Sequence, residues 1–592
     1  MSAAAKLPVE PRVLFEDKSL AHVMCGHCPA TVHPQVAERS NVFKRRIYEF
    51  GPNTYAAIEY VGCSVMVVGP EGAVVVGAVD QIDSGTLVAG HFEKLRKGTP
   101  IAAVVYNDSL ADNYGGVEAF VSESEVKSGA VSIIAHESFE RMLKNIGDVG
   151  NIHTWRAAYQ AGAFLEKGPE GLVHTGAIAF KPGKVSYIAP NVLVGKSWKG
   201  APGGVRTEIY HFPAESDDGI VTWFPDQKTL VIGHVLFGDL LPQVYAQRGI
   251  VRKPKRWYKG IEDLIDFVNN IDVEYMVPMH FFEPIVGRER IMEVLNINRD
   301  TLQFIADQGA RYINKGYRPD DLAVTVSLPP HLATHRDLQE HYGRLQQHMR
   351  QQYHDHLGWF QGDPTFLDAL PAATRAQNYV EALGGRNGIL EKVDAAIEQK
   401  QDLWAAELLG WLIQVNPEDD EARRLKAGAF RRLGFAAPNA TYRNWFLTSA
   451  LEMEGRLPQL KLDKSAMIPE QILKGLGVLD LLETLKPRLM SEQTFDLDCR
   501  INIHCGDDVV SAHLRRGVLE SRPWALDESD LTLRASIATL REVIENQKTV
   551  AAALAAGEVT VEQGDASLLQ RLAGMFEPSA GGNYPVSVPT VL

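Results

Sequence analysis

Cysteine is scarce in this chain: five residues, Cys25, Cys28, Cys63, Cys499 and Cys505, among 592. Five thiols cannot build a disulfide framework for a protein of this size. Cationic runs are missing too. Lys and Arg number 60 against 74 Asp and Glu, a net charge of −14, and the densest basic stretch runs only from Arg252 to Arg256. An acidic chain without a basic patch repels a phosphate backbone, so no nucleic-acid partner is expected. No stretch approaches about 18 uninterrupted apolar residues, which excludes a membrane-spanning helix. The opening MSAAAKLPVEPRVLFEDK lacks the basic flank and apolar run of a secretory signal. Together these absences predict a reduced, cytoplasmic setting. Cys25-Gly-His-Cys28 is the one pair at metal or redox spacing. Without a second pair it falls short of a four-ligand zinc site, and it reads as ordinary thiols in an N-terminal extension.

What is present is an ordinary globular composition, 45% hydrophobic and 23% charged with 50 Gly and 31 Pro. From about Tyr55 to Ile313, short Val- and Ile-rich runs alternate with helical segments and Gly turns: SVMVVG, AVVVGAV, IAAVVYND, VSIIAHE, VSYIAP, GIVTWFP, KTLVIGHVL and VEYMVPMH. Such runs are the strand signal, and their mixture with helices predicts a layered α/β domain. Residues 334 to 455 read as helices almost throughout, with a break at Asn416-Pro417. From about Pro458 the pattern is mixed again, ending in a strand after Gly557 and an amphipathic helix. The expected division is 1–317, 318–457 and 458–592.

The chemistry gathers first at Val104 to Gly116, where a buried strand ends in a polar loop, Asn107-Asp108-Ser109-Leu110-Ala111-Asp112-Asn113, before Tyr114 and a glycine pair. Strand ends of this kind are where α/β folds place their sites. The segment resembles the first metal-binding signature of the metallo-β-lactamase superfamily, H-x-H-x-D-H-x-G-G. Its histidine positions fall on Asp108, Leu110 and Asn113; Asp112 and Gly115-Gly116 are unchanged. Later landmarks keep the family's order: IIAHE, then HFPAESDDGIVTWFPDQKTLVIGHVLFGD with Glu215 and His234 at ligand positions, then VPMH ending at His280.

A more specific resemblance is to the alkylsulfatase branch of that superfamily. It rests on WRAAY at Trp155, QRG at Gln247, LPPHLA at Leu328, LGWFQGDP at Leu357, WAAELL at Trp404 and NATYRN at Asn439. The resemblance implies a metallo-β-lactamase-like αββα sandwich, an all-α dimerisation domain and an α+β sterol-carrier-like C-terminal domain. It also implies a homodimer and a substrate-binding role for Arg248, whose guanidinium suits an oxyanion. In that branch a glutamate stands at the position of His234 and another at that of Glu215.

Apolar Leu110 cannot ligate a metal, so the usual two-zinc site is not expected. Asp108, Asp112, Glu215, His234 and His280 remain as donors, with Asn113 as a neutral sixth. Two imidazoles with carboxylates suit zinc first, with iron or manganese as alternatives. Asp108 or Asp112 outside the coordination sphere could act as general base. Each residue also has a plainer reading: the aspartates as helix caps, His234 as a core histidine, Glu215 in a solvated acidic turn, Arg248 in a charged loop. The expected activity is metal-dependent hydrolysis of an ester-type bond in a small amphiphilic molecule, with an altered, single-metal site. The alternatives are a mononuclear iron or manganese enzyme with redox or lyase chemistry, and an inactive dimeric scaffold or lipid carrier.

Overall fold

The computed structural model describes residues 9–17, 28–144, 149–176, 183–458, 470–578 and 586–587. Eight strands lie in chain order in one sheet: β1 (Arg12–Asp17), β2 (Arg45–Glu49), β3 (Thr54–Ile58), β4 (Ser64–Val68), β5 (Ala73–Val76), β6 (Ile101–Val105), β7 (Ser132–His136) and β8 (Val192–Val194). The first five pair antiparallel. From β5 onward the pairing is parallel, which requires crossover segments such as the helix Ile82–Arg96.

Four strands of the second sheet follow, β9 (Ser197–Gly200), β10 (Thr207–His211), β11 (Ile220–Phe224) and β12 (Thr229–Gly233). A separate hairpin, β13 (Tyr245–Ala246) and β14 (Ile250–Val251), precedes the last two, β15 (Tyr275–Pro278) and β16 (Ile285–Val286). The second sheet has the order β16-β15-β12-β11-β10-β9, with β12 and β15 parallel.

Val65, Val67, Val74, Val76 and Val105 from the first sheet and Ile209, Phe224, Val231 and Val277 from the second form one buried layer. The outer face of the second sheet, Trp223, Leu230 and Ile232, packs on the helices Pro254–Asn269 and Arg288–Ile313. Pro254–Asn269 buries Trp257, Ile261, Leu264, Ile265 and Val268 at the three- and four-residue spacing of one helix face. The result is helix, sheet, sheet, helix, the αββα sandwich that the resemblance implies.

Two strand readings need correction. VSYIAP pairs with no strand; the nearby ladder is β8. The segment instead lies buried across the Gly115 loop, with the Ser186 amide and hydroxyl both donating to the Gly115 carbonyl (2.6 and 2.9 Å). Val185, Tyr187 and Ile188 are buried without an edge to join. Strands β1 and β2 lie before Tyr55, outside the expected strand region. RVLFED is largely exposed and RRIYE carries charge on its open face, so neither shows a clean apolar run.

Helices follow at Leu345–Leu357, Ala372–Ala382, Gly385–Glu398, Asp402–Val415, Asp420–Ala436 and Ala440–Met453. One ends before Asn416-Pro417, and the Asp419 side chain caps the next by accepting from the Ala422 amide. These helices and the sandwich share one compact unit of residues 1–145, 152–469 and 584–592. The second unit, residues 146–151 and 470–583, carries a five-stranded sheet. Its strands are β17 (Asp498–Cys505), β18 (Asp508–Arg515), β19 (Val518–Arg522), β20 (Leu531–Ala535) and β21 (Val559–Gln563), in the order β19-β18-β17-β20-β21. Its core gathers Ile503, Leu514, Leu531, Leu533 and Leu572.

Cys63, Cys499 and Cys505 are free and buried, whereas Cys28 is disulfide-bonded and so is not the ordinary thiol expected. Among the described residues no helix is long and apolar enough to cross a membrane.

Candidate metal centre

Three strand ends meet at one edge of the sandwich. The loop after β6 turns through a 3-10 segment, Ala111–Asn113, that carries Asp112. A glycine must follow it, because a Cβ on Gly115 would lie 1.9 Å from the Asp80 carbonyl. His234 directly follows β12 and His280 lies two residues beyond β15. Since β12 and β15 are parallel neighbours, the two imidazoles emerge side by side, with ring centroids 5.4 Å apart. His280 has φ 53°, a left-handed conformation that a non-glycine residue seldom adopts and that costs on the order of 1–3 kcal/mol.

Asp112, His234 and His280 each offer one ligand atom, and these atoms lie within 4.8 Å of one another. The His280 Nε2 is 3.0 Å from Asp112 Oδ2, and His234 Nε2 is 3.3 Å from the same oxygen. Burial alone would raise the Asp112 carboxyl, but the two imidazoles hold it far below the usual carboxylate range. Burial opposes the charging of His234, yet Asp112 and Asp108 together push its pKa well above the ordinary value. Asp112 Oδ1 is buried without a hydrogen-bond partner, and His234 Nε2 has only the 3.3 Å approach to Asp112 Oδ2. Such an orphan needs an explanation, and two imidazoles with one carboxylate fit a single divalent cation.

The other sequence candidates are engaged elsewhere. Asp108 Oδ2 lies 2.8 Å from His234 Nδ1, while its Oδ1 accepts from the Leu110 amide (2.9 Å) and Asn113 Nδ2 (2.7 Å). It therefore holds the His234 ring from the side opposite Asp112, the placement in which carboxylates commonly orient metal-binding histidines, and it lies outside the three-donor cluster. Asn113 turns its amide nitrogen to Asp108 and to His234 Nδ1 (3.1 Å), and its oxygen accepts from Asn107 Nδ2 at 3.0 Å. Glu215 is not in a solvated turn. It is buried in an ion pair with Arg252, itself buried, which supplies the positive charge a metal would otherwise bring. With Leu110 apolar, Asp108 saturated and Glu215 neutralised, these residues do not fit a second metal.

Arg248 lies outside the donor cluster. Its Nη1 donates to the Tyr342 hydroxyl (3.2 Å), whose ring stacks on Phe237, and Phe237 in turn packs 5.0 Å from His280. Arg252, Tyr342 and Phe237 are missing from the sequence reading. The first was visible only as part of a short basic cluster, and the other two carried no signal.

Asp218 is a further unforeseen group. It is fully buried beside Asp108, and burial, then that neighbouring charge, push its pKa up to about 6 from 3.8; the Ser216 and Ser109 hydroxyls oppose the rise. A carboxyl raised in this way adds stability below its unfolded value and loses it as pH climbs through 6, by up to roughly 3 kcal/mol. In metal-free protein, Asp218→Asn is therefore expected to raise the melting temperature at pH 8 and leave it nearly unchanged at pH 4. Equal shifts at both pH values would contradict this origin.

Comparison with known proteins places the sequence and the fold. Residues 318–456 match the alkyl sulfatase dimerisation family and residues 466–586 the alkyl sulfatase C-terminal family. A linear primary-alkylsulfatase from a Pseudomonas strain is 35% identical over 516 residues, covering 84% of this chain and 95% of that protein. An alkyl/aryl-sulfatase of Saccharomyces cerevisiae is 31% identical, covering 62% of this chain and 57% of that one. The solved structure of a stereoselective inverting secondary alkylsulfatase from Pseudomonas superimposes with a TM-score of 0.85 at 24% identity, over 94% of this chain and 88% of that one.

Proposed function

Because the chain belongs to the alkylsulfatase family of metal-dependent hydrolases, we propose that it hydrolyses an ester of an amphiphilic alkyl chain at a single-metal site. A sulfate ester is the first candidate substrate. The observation that carries this reading is the convergence of one donor atom each from Asp112, His234 and His280 at the ends of three strands, with Asp112 Oδ1 buried beside them and without a hydrogen-bond partner.

When bound, a divalent cation supplies positive charge that stabilises an anion developing on the substrate. The chain's own residues do the rest. Asp108 accepts a hydrogen bond from His234 Nδ1 and so keeps its Nε2 facing Asp112. Phe237 walls the histidines, and Arg248, steadied by Tyr342, offers its guanidinium to the ester's anionic head. Zinc is our first choice of metal. The two-histidine, one-carboxylate set is also the pattern of mononuclear iron sites, which favours iron as the second reading. Elemental analysis of purified protein combined with sulfate release from dodecyl sulfate decides between them. About one zinc per chain with turnover supports the hydrolase. Stoichiometric iron with oxygen uptake and no sulfate release transfers the case to redox chemistry, and less than ~0.2 equivalents of any transition metal sinks both.

We also propose that the chain pairs with a second copy through its helical segment. Leu357, Trp359, Phe366, Leu367 and Leu370 are all exposed and follow closely in sequence within the part that matches the dimerisation family. Exposed apolar clusters of this kind mark interfaces. The double substitution Trp359→Asp and Leu367→Asp is expected to halve the mass measured by light scattering, and an unchanged mass would exclude this face. The C-terminal unit, by resemblance, accommodates the alkyl chain. Three free buried cysteines support a cytoplasmic location, whereas the disulfide at Cys28 favours oxidising surroundings. Cell fractionation discriminates between the two.

A further inference from the structure

The helix Gly150–Ala161 grips the turn that carries Arg248. Arg156 Nε and Nη2 both donate to the Gln247 carbonyl (3.1 and 2.5 Å). Gln160 Oε1 accepts from the Arg248 backbone amide (3.2 Å), and its Nε2 donates to the same Tyr342 hydroxyl that receives the Arg248 guanidinium (3.0 Å). One turn of helix thus fixes both the backbone and the side-chain partner of Arg248.

That helix is held from an adjacent face by Trp445, Glu452 and Val586. Trp155 and Tyr159 pack with Phe164, Trp445 and Val586 in one apolar cluster. The Tyr159 hydroxyl donates to Glu452 Oε2 at 2.8 Å. The same carboxylate accepts two consecutive backbone amides from the C-terminal segment, Val586 at 2.8 Å on Oε1 and Ser587 at 2.9 Å on Oε2. Ser587 Oγ completes the attachment to Ser449 Oγ at 2.6 Å. A carboxylate that is only 7% exposed must satisfy its oxygens within the protein, and Glu452 does so by joining a helix, a tyrosine and the C-terminal segment.

We propose that Glu452 is a positioning residue for Arg248: by fastening Val586 and Ser587 against Tyr159 it immobilises the helix whose Arg156 and Gln160 hold the Arg248 turn. The C-terminal segment is then a strap behind the binding residue, and its attachment tunes affinity for the substrate's anionic head. The binding consequence rests on the proposed role of Arg248, whereas the mechanical link does not.

Two measurements on the full chain test it. The first is hydrogen exchange at the Arg248 amide. Glu452→Ala, and separately deletion of residues 586–592, should each speed that exchange by about tenfold or more as the turn opens locally. Glu452→Gln, which keeps one acceptor and the side chain's shape, should fall between and serves if alanine impairs folding. Unchanged exchange in all three overturns the proposal. The second is a double-mutant cycle on dodecyl sulfate hydrolysis. Glu452→Ala should raise KM by about tenfold with little change in kcat, and that effect should vanish in an Arg248→Ala background. Additive effects would show that Glu452 does not act through Arg248 and overturn the positioning role. Should the unmodified chain fail to hydrolyse the ester at all, the functional reading fails, and the exchange experiment still decides the strap.

Discussion

Replacing His280 with alanine is expected to lower bound divalent metal from about one equivalent per chain to below ~0.2 and to slow ester hydrolysis by about 10³-fold. His280 is one of three donors, so its loss leaves Asp112 and His234 with too few ligands to retain a cation through dialysis. It also removes one of the two imidazoles that keep the Asp112 carboxylate charged in a buried setting. Elemental analysis and turnover should fall together, while a thermal melt shows that the fold persists. Full metal content in the alanine variant would place the cation elsewhere. Retained turnover with metal lost would remove the metal from the chemistry.

The second large effect is on stability. Arg443 is fully buried, and its guanidinium collects four main-chain carbonyls from separate parts of the chain. Nη1 donates to Thr31 (2.6 Å) and Gly434 (3.3 Å), and Nη2 donates to Pro169 (2.6 Å) and Gly171 (3.1 Å). Burial lowers its pKa to about 10, which leaves it charged at neutral pH. Arg443→Met retains much of the packing volume but strands these carbonyls away from water. The expected loss is about 3 kcal/mol, read as a lower urea midpoint. Arg443→Lys should recover only part of it, because one ammonium cannot span four acceptors arranged for a planar fork. A midpoint shift equivalent to less than ~0.5 kcal/mol for the methionine variant would contradict this account.

Much of the architecture was legible in the chain. Apolar runs in SVMVVG, AVVVGAV and IAAVVYND became β4, β5 and β6 because a strand buried on both faces needs continuous Val and Ile. The helix break at Asn416-Pro417 was readable because proline cannot continue a helix. VSYIAP was not separable from a strand, since burial without pairing produces the same apolar pattern. The edge strand RVLFED was hidden for the opposite reason: it buries too little to show one.

The candidate site divides along a similar line. The sequence by itself determined which residues could bind a cation, because donor chemistry is a property of the side chain: Leu110 removes a ligand wherever it lies, and Asp112, His234 and His280 bring donors to strand ends. Only the tertiary structure decided which donors meet. Glu215 lies beside Arg252, which is 37 positions further along the chain, and Asp108 spends its oxygens on Leu110, Asn113 and His234. A buried charge must find compensation within a few ångströms, and which partner supplies it depends on how distant segments pack. The same holds for Arg248, whose environment is set by Gln160, Tyr342 and, through Tyr159 and Glu452, by Val586 and Ser587.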